Sequence, residues 1–495
     1  MKRVSRVLLF LGRYLVVAVL GFIVGVLALY IYLVRSGPAL ELWHTEKLTG
    51  EFSASSVDEI VTLDDYRSLE RALFEQLDAK IYARTKTGQA FALARYSPNS
   101  LADPRVGNPD WNRTFELTRD TPVGGVLLLH GMSDSPYSLR AIGKKLHQRG
   151  YWVVGLRLPG HGTAPSGLMT ATWEDMAAAV ELGMRHLATK VSADSLHIIG
   201  YSTGAPLALN YELDVLDGLD APAPASMVFI SPAIGVTSAA VIAKWQRRFS
   251  LLPGLKKLAW EDILPEFDPY KYNSFAINAG EQVYRLTTSV AKRLKARAKR
   301  GSIEGFPPTL VLLSAVDATV STEAVINDLF MRLAPEGHEL ILFDINRKKM
   351  KLSILVPDPA PITARLLDDD ALPFMLTLVT NEHDESTALV ARRKTPFSAE
   401  ATVESLDLDW PSGVISLSHI ALPFPPDDPL YGRLDAGSGD VDQNIIHLGQ
   451  IAIQGERGLF RVSSDWLMRL RYNPFYTILE TRVVEWLERA SQDED

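Results

Sequence analysis

Cysteine is absent from all 495 residues. That removes disulfide scaffolds, thiol nucleophiles, zinc–thiolate sites and iron–sulfur clusters together, so any nucleophile must be another side chain. The ten histidines include no H-E-x-x-H or comparable pairing, and neither a metal nor a cofactor is expected. A basic surplus is missing too. The formal charge is −8, and because residues 1–35 carry Lys2, Arg3, Arg6, Arg13 and Arg35 without an acid, the rest stands at −13. No nucleic-acid partner is expected, since phosphates demand a basic face. What is present, 47% hydrophobic and 22% charged residues, is the balance of a folded protein. The length allows about three domains or one enlarged α/β unit.

From Tyr14 to Val34 the chain reads YLVVAVLGFIVGVLALYIYLV, 21 residues without a charge. About 20 helical residues span a bilayer core, and no small-x-small cleavage site follows, so an uncleaved single-pass anchor is expected. Lys2, Arg3, Arg6 and Arg13 precede the run. The positive-inside rule therefore puts the N-terminus in the cytoplasm and the remaining chain on the outer, periplasmic or extracellular, side.

Residues 36–120 read as a membrane-proximal lead-in, with helical spacing in SVDEIVTLDDYRSLERALFEQL and possible strands in KIYARTKTGQAFALARY. The Asn112 to Thr114 N-x-T triplet is taken as a chance match. After Gly124 the pattern changes. GGVLLLHG, YWVVGLRLPGHG, SLHIIGYS, ASMVFISP and TLVLLSAVD are short apolar runs, and helical stretches separate the first of them. This alternation predicts an α/β fold with a mostly parallel sheet covered on both faces, in which sites gather at the carboxyl ends of the strands. The 121–495 domain carries two interruptions. Residues 237–305 read as a helical cap, with a basic run from Lys292 to Arg300 that suits a solvated face or anionic lipid. Residues 347–411 form a late insertion with possible strands LSILVP, FMLTLVTN and TALVARRK. HELILFDI from His338 reads as a further strand, and NPFYTILETRVVEWLERA as a closing helix.

Gly200-Tyr201-Ser202-Thr203-Gly204 fits G-x-S-x-G and sits where a strand-like run meets a helix-like one. There a tight turn would lift Ser202 above the sheet, with Gly200 and Gly204 letting strand and helix approach. Serine needs a base, and the base an orienting acid, in chain order Ser, acid, His. Asp317 ends TLVLLSAVD and is the candidate acid, with Asp344 as its rival. His419 follows VISLS and is the candidate base. His383 and His447 are alternatives, while His338 begins its strand and so lies at the wrong end. The 102 residues from Asp317 to His419 are a long connection for this arrangement. Acyl transfer also needs oxyanion donors. His130-Gly131-Met132 supplies them, Met132 and Thr203 giving the backbone amides, Gly131 the turn and His130 a structural hydrogen bond.

LLLHGMSDSPYSLR, GLRLPGHGTAPSG and GYSTG, in this order, resemble the α/β-hydrolase family. The likeness is to its monoacylglycerol lipase, lysophospholipase and serine-aminopeptidase-like branch. The resemblance covers residues 124 to about 345 and implies a Ser–Asp–His hydrolase with a cap between its sixth and seventh strands. The expectation is thus a membrane-anchored serine hydrolase of carboxylic esters, with monoacylglycerol- or lysophospholipid-like substrates. Fold analogy leaves the substrate open. An exopeptidase of iminopeptidase type, or a non-catalytic tethered binding module, is the alternative.

Overall fold

The computed structural model describes residues 2–106, 109–235, 255–335, 337–349, 360–433, 446–449 and 468–490. Twelve strands form in chain order: β1 (Phe115–Leu117), β2 (Gly125–Leu129), β3 (Trp152–Leu156), β4 (Leu196–Tyr201), β5 (Ser226–Ile230), β6 (Trp260–Asp262), β7 (Phe275–Ala276), β8 (Thr309–Ser314), β9 (His338–Phe343), β10 (Met375–Asn381), β11 (Ala388–Lys394) and β12 (Thr402–Asp409). Ten of them make one sheet in the order β1-β3-β2-β4-β5-β8-β9-β10-β11-β12. From β3 to β10 every pairing is parallel, while β1, β11 and β12 join antiparallel at the two edges.

Strands β2, β4, β5, β8 and β9 are buried along their whole length. Continuous apolar runs rather than alternating ones are what a sheet covered on both faces requires. One face is covered by α3 (Leu63–Lys80), α5 (Trp173–Ala188), α6 (Gly204–Leu216) and α7 (Ile277–Ala298). The other is covered by α4 (Arg140–Gln148) and the closing helix α9 (Tyr476–Ala490). Local signals agree with this layering. Thr62 and Thr172 each accept from the amide three residues on, opening α3 and α5 with capping boxes.

The lead-in is built into the core. Phe52, Leu63 and Tyr66 pack in the main apolar cluster. The fully buried Arg157 guanidinium is held by Glu51 at 2.8 and 2.9 Å and by Glu70 at 2.8 Å. Residues 80–96 hold 3-10 turns at Tyr82–Arg84 and Gln89–Phe91 rather than strands. Asn112 is wholly buried and bonded to Arg95 and to the carbonyl of Pro269.

The two interruptions also take definite places. Of the 237–305 stretch, residues 237–254 lie outside the described residues. Within the rest of the stretch, α7 packs along α5 and α6. Part of its basic run is neutralised there, Arg293 and Arg297 pairing with Asp214 and Asp217. The late insertion continues the sheet through α8 (Pro361–Asp368), β10, β11 and β12. LSILVP lies outside the described residues.

At the N-terminus α1 (Lys2–Ser36) runs through the whole 14–34 stretch, with exposed apolar side chains including Tyr14, Leu15, Val17, Phe22 and Tyr32. Part of that stretch has side chains outside the described residues. Among the described residues no helix is long and apolar enough to cross a membrane. A four-residue helix, α2 (Leu42–Thr45), follows.

Candidate active site

The turn after β4 carries the first component. Ser202 has φ 51°, a left-handed conformation costly for a residue with a Cβ unless its surroundings hold it. They do: its amide donates to Ile230 O at 3.0 Å, and its carbonyl accepts from Ala205 and Ala233 at 3.2 and 3.0 Å. A Cβ on Gly200 would lie 2.6 Å from the Ala205 amide nitrogen, and one on Gly204 would lie 2.1 Å from Leu129 O. Only glycine lets α6 start this close to β4 and β2.

Ser202 Oγ lies 3.0 Å from His419 Nε2, and His419 Nδ1 lies 2.9 Å from Asp317 Oδ2. Because a carboxylate can only accept, Nδ1–H donates to Asp317, leaving the Nε2 lone pair to accept from the serine hydroxyl. The Asp317 side chain is fully buried, and its other oxygen accepts from the Thr319 and Val320 amides at 2.8 and 3.1 Å. Ser321 caps the helical turns that follow. His419 opens a 3-10 turn and rests on the Tyr201 ring, 5.5 Å between centroids.

The long separation of Asp317 and His419 is spanned by the sheet extension. After β12 the chain returns to the carboxyl ends of β8 and β9. There Asn346 N donates to Ile415 O at 2.7 Å, and Ser314 Oγ donates to Leu417 O at 3.0 Å. The rival residues lie elsewhere. His383 is exposed in the β10–β11 turn beside Glu382, and His338 begins β9. His447 lies in the 446–449 stretch by Leu430. Asp344 is taken by Arg347 and Thr380.

The loop after β2 completes the site. A Cβ on Gly131 would sit 3.0 Å from Ser202 Cβ and 2.8 Å from Asp134 Oδ2, so this loop lies against the serine. Buried His130 accepts from the Leu158 amide through Nε2 at 3.1 Å and donates from Nδ1 to Gly131 O at 2.9 Å. Burial, with His161 beside it, holds His130 well below the usual imidazole pKa, so it is a neutral structural group. Neither the Met132 nor the Thr203 amide donates to another group among the described residues. Met132 packs into an apolar cluster with Leu168, Trp260 and Phe275.

Around these residues runs a frame of buried polar pairs with no signature in the sequence. Asp134 pairs with Lys271 at 3.0 Å, and Tyr272 N donates to Ser133 O at 2.8 Å. Asp428, in the loop beyond His419, accepts from Tyr137 and Arg140 at 2.9 and 2.8 Å. Tyr137 stacks on Tyr270, and Tyr431 donates to Asp268 at 2.6 Å. Long sequence separations hid all of these. Among the described residues no set of three or more His, Asp or Glu side chains could hold a metal ion.

Residues 126–345 match the profile of the Alpha/beta hydrolase family. A thermostable monoacylglycerol lipase of Bacillus sp. (strain H-257) is 38% identical over 88 residues, 18% of this chain and 34% of that protein. The chain thus spans about a third of the length of this curated relative. Among solved structures, the Paleococcus ferrophilus monoacylglycerol lipase shares 19% identity at TM-score 0.36, covering 47% of this chain and 88% of that one. A soluble variant of the monoglyceride lipase of Saccharomyces cerevisiae shares 14% at TM-score 0.36, covering 47% and 82%.

Proposed function

We propose, from the match of residues 126–345 to the α/β-hydrolase family profile, that this chain is a membrane-anchored serine hydrolase of carboxylic esters. The observation that carries the reading is the hydrogen-bonded run Ser202 Oγ–His419–Asp317, at 3.0 and 2.9 Å, on a serine with positive φ. In this reading His419 Nε2 takes the hydroxyl proton as Ser202 Oγ attacks the ester carbonyl carbon. Asp317 stabilises the imidazolium. The Met132 and Thr203 amides receive the oxyanion, each donor contributing roughly 3–4 kcal/mol to the transition state. His419 returns the proton to the leaving alcohol oxygen. Water, deprotonated by His419, then hydrolyses the acyl-enzyme and releases the acid.

An ester fits better than a peptide. A peptidase needs an acid beside Ser202 to hold the substrate's amine, and Asp134, in the loop against Ser202, is engaged by Lys271. The substrate class of this reading is a single-chain ester lipid of the monoacylglycerol or lysophospholipid type, in keeping with the monoacylglycerol lipase that part of the chain resembles. Residues 14–34 are the anchor, with the N-terminus cytoplasmic and the catalytic body on the outer side.

Fluorophosphonate labelling tests the chemistry. The wild-type chain should label and Ser202→Ala should not; labelling that persists in the variant overturns the assignment.

A further inference from the structure

The end of α1 is fastened to the surroundings of Ser202. Lys257 Nζ donates to Arg35 O at 3.0 Å and to Gly37 O at 2.6 Å. The final carbonyls of a helix lack partners within it, and a cation there is favourable. Seven residues further on, His44 lies edge-on to the Trp260 ring, 4.8 Å between centroids, and its Nε2 is 2.9 Å from Ser274 Oγ. Leu40 packs into the same apolar cluster as Trp260, Leu168 and Met132.

Lys257 lies near the start of the segment 255–276, whose β6–β7 ribbon doubles back toward α7. Inside that segment Lys271 pairs with Asp134, and Tyr272 bonds to Ser133. These are the loop residues next to Gly131, which lies against Ser202. One short segment is thus tied at its start to the helix exit and near its end to the loop carrying a candidate oxyanion donor.

We infer that residues 255–276 are a strap that docks on the bilayer surface holding α1 and presents the mouth of the active site to it, so that ester lipids enter laterally. The inference rests on the membrane-anchor reading. A bilayer core crossed by residues 14–34 ends within a residue or two of Arg35. Lys257, in hydrogen-bond reach of residues 35 and 37, must then stand at headgroup level. Lys257 is held there by the carbonyls at the end of α1, and the exposed Lys256 beside it suits headgroup depth, its apolar stem carrying an ammonium to the polar level. The apolar cluster that Leu40 packs against also takes Met132, next to Gly131 in the loop against Ser202.

Because the chain has no cysteine, single-cysteine labelling is clean. The full chain is reconstituted into phosphatidylcholine vesicles with Glu261→Cys on β6 or Val403→Cys on β12 carrying a bimane. Strand β12 is five strands from β5 and far from the strap. Lipids bearing a spin label near the headgroup should quench the label at 261 strongly and the label at 403 weakly; equal quenching overturns the strap. Function is read with a Gly–Ser insertion after Ser36, and separately with Lys257→Met. Hydrolysis of monooleoylglycerol in vesicles should fall about tenfold, the size of a positioning defect, while hydrolysis of dissolved p-nitrophenyl butyrate is unchanged. Equal loss on both substrates, or loss on neither, overturns the inference. Flotation separates the readings: a chain that fails to float with vesicles refutes the anchor and the strap with it, whereas one that floats without quenching at 261 refutes the strap alone.

Discussion

The guanidinium of Arg140 and the carboxylate of Asp428, 288 residues apart in sequence, meet at 2.8 Å with the aspartate side chain wholly shielded from water. Arg140 opens α4, just beyond the loop that follows β2; Asp428 lies nine residues beyond His419. The pair therefore joins the two loops that frame Ser202 from opposite ends of the chain. Asp428 also accepts from Tyr137 and from the amides of Leu430 and Tyr431.

Removing one partner leaves the other as an uncompensated buried charge. Asp428→Ala should lower the unfolding free energy by about 3–5 kcal/mol. The double variant Arg140→Met, Asp428→Leu should lose less than the sum of the single changes. Urea unfolding of the four proteins measures this; additivity would show that the two groups are not coupled.

The residues linked to Ser202 should act as one unit. Turnover of a soluble ester should drop roughly a million-fold in Ser202→Ala or His419→Ala, and roughly ten-thousand-fold in Asp317→Asn. The Ser202→Ala, His419→Ala double variant should be no worse than either single one. Circular dichroism should report an unchanged fold. His383→Ala should turn over normally, since its side chain is exposed in a distant turn.

Two glycines should separate activity from stability. In Gly131→Ala the new methyl would press on Ser202 Cβ at 3.0 Å and on the Asp134 carboxylate. The reaction rate should fall at least about tenfold, with at most about 1 kcal/mol of stability lost. In Gly204→Ala the methyl meets the Leu129 carbonyl at 2.1 Å, a backbone atom that cannot step aside. That variant should lose about 1–3 kcal/mol or more in denaturant unfolding.

Glu212 supplies a pH dependence. Its side chain on α6 is buried, one oxygen has no hydrogen-bond partner among the described residues, and burial pushes its pKa up to about 8. An acid whose folded pKa exceeds its unfolded one binds more protons in the native state. Stability is then lost as pH rises from about 4.5 to about 8. The loss from this group is on the order of 5 kcal/mol. Glu212→Gln should flatten the decline, which unfolding curves at pH 5 and pH 9 would reveal; parallel slopes for wild type and variant would refute it.

The parallel centre of the fold was legible because its signal is local. The five apolar runs from GGVLLLHG to TLVLLSAVD are all strands of the parallel centre. Ser202 was legible for the same reason: G-x-S-x-G is the local demand of a strand-to-helix turn too tight for a Cβ at either flank. The edges were harder to read. TVESLDLD becomes β12 although most of its residues are exposed, so no continuous apolar run marks it. Residues 80–96 pack through aromatic rings and the buried Arg95 rather than through backbone ladders, and strand-like composition misled there.

By itself the sequence determined the order of the central strands, the place of the serine turn, the acidic character of the chain beyond its basic N-terminus, and the exclusion of thiol chemistry. All of these are set by residues within a few positions of one another. Only the tertiary structure decided that His419 rather than His383 reaches Ser202. It alone joined Arg140 to Asp428 and set Lys257 against the end of α1. Such pairings depend on how a hundred-residue sheet extension returns the chain to the ends of β8 and β9. Charges and hydrogen-bond donors at those separations find each other through packing geometry, which no local pattern records.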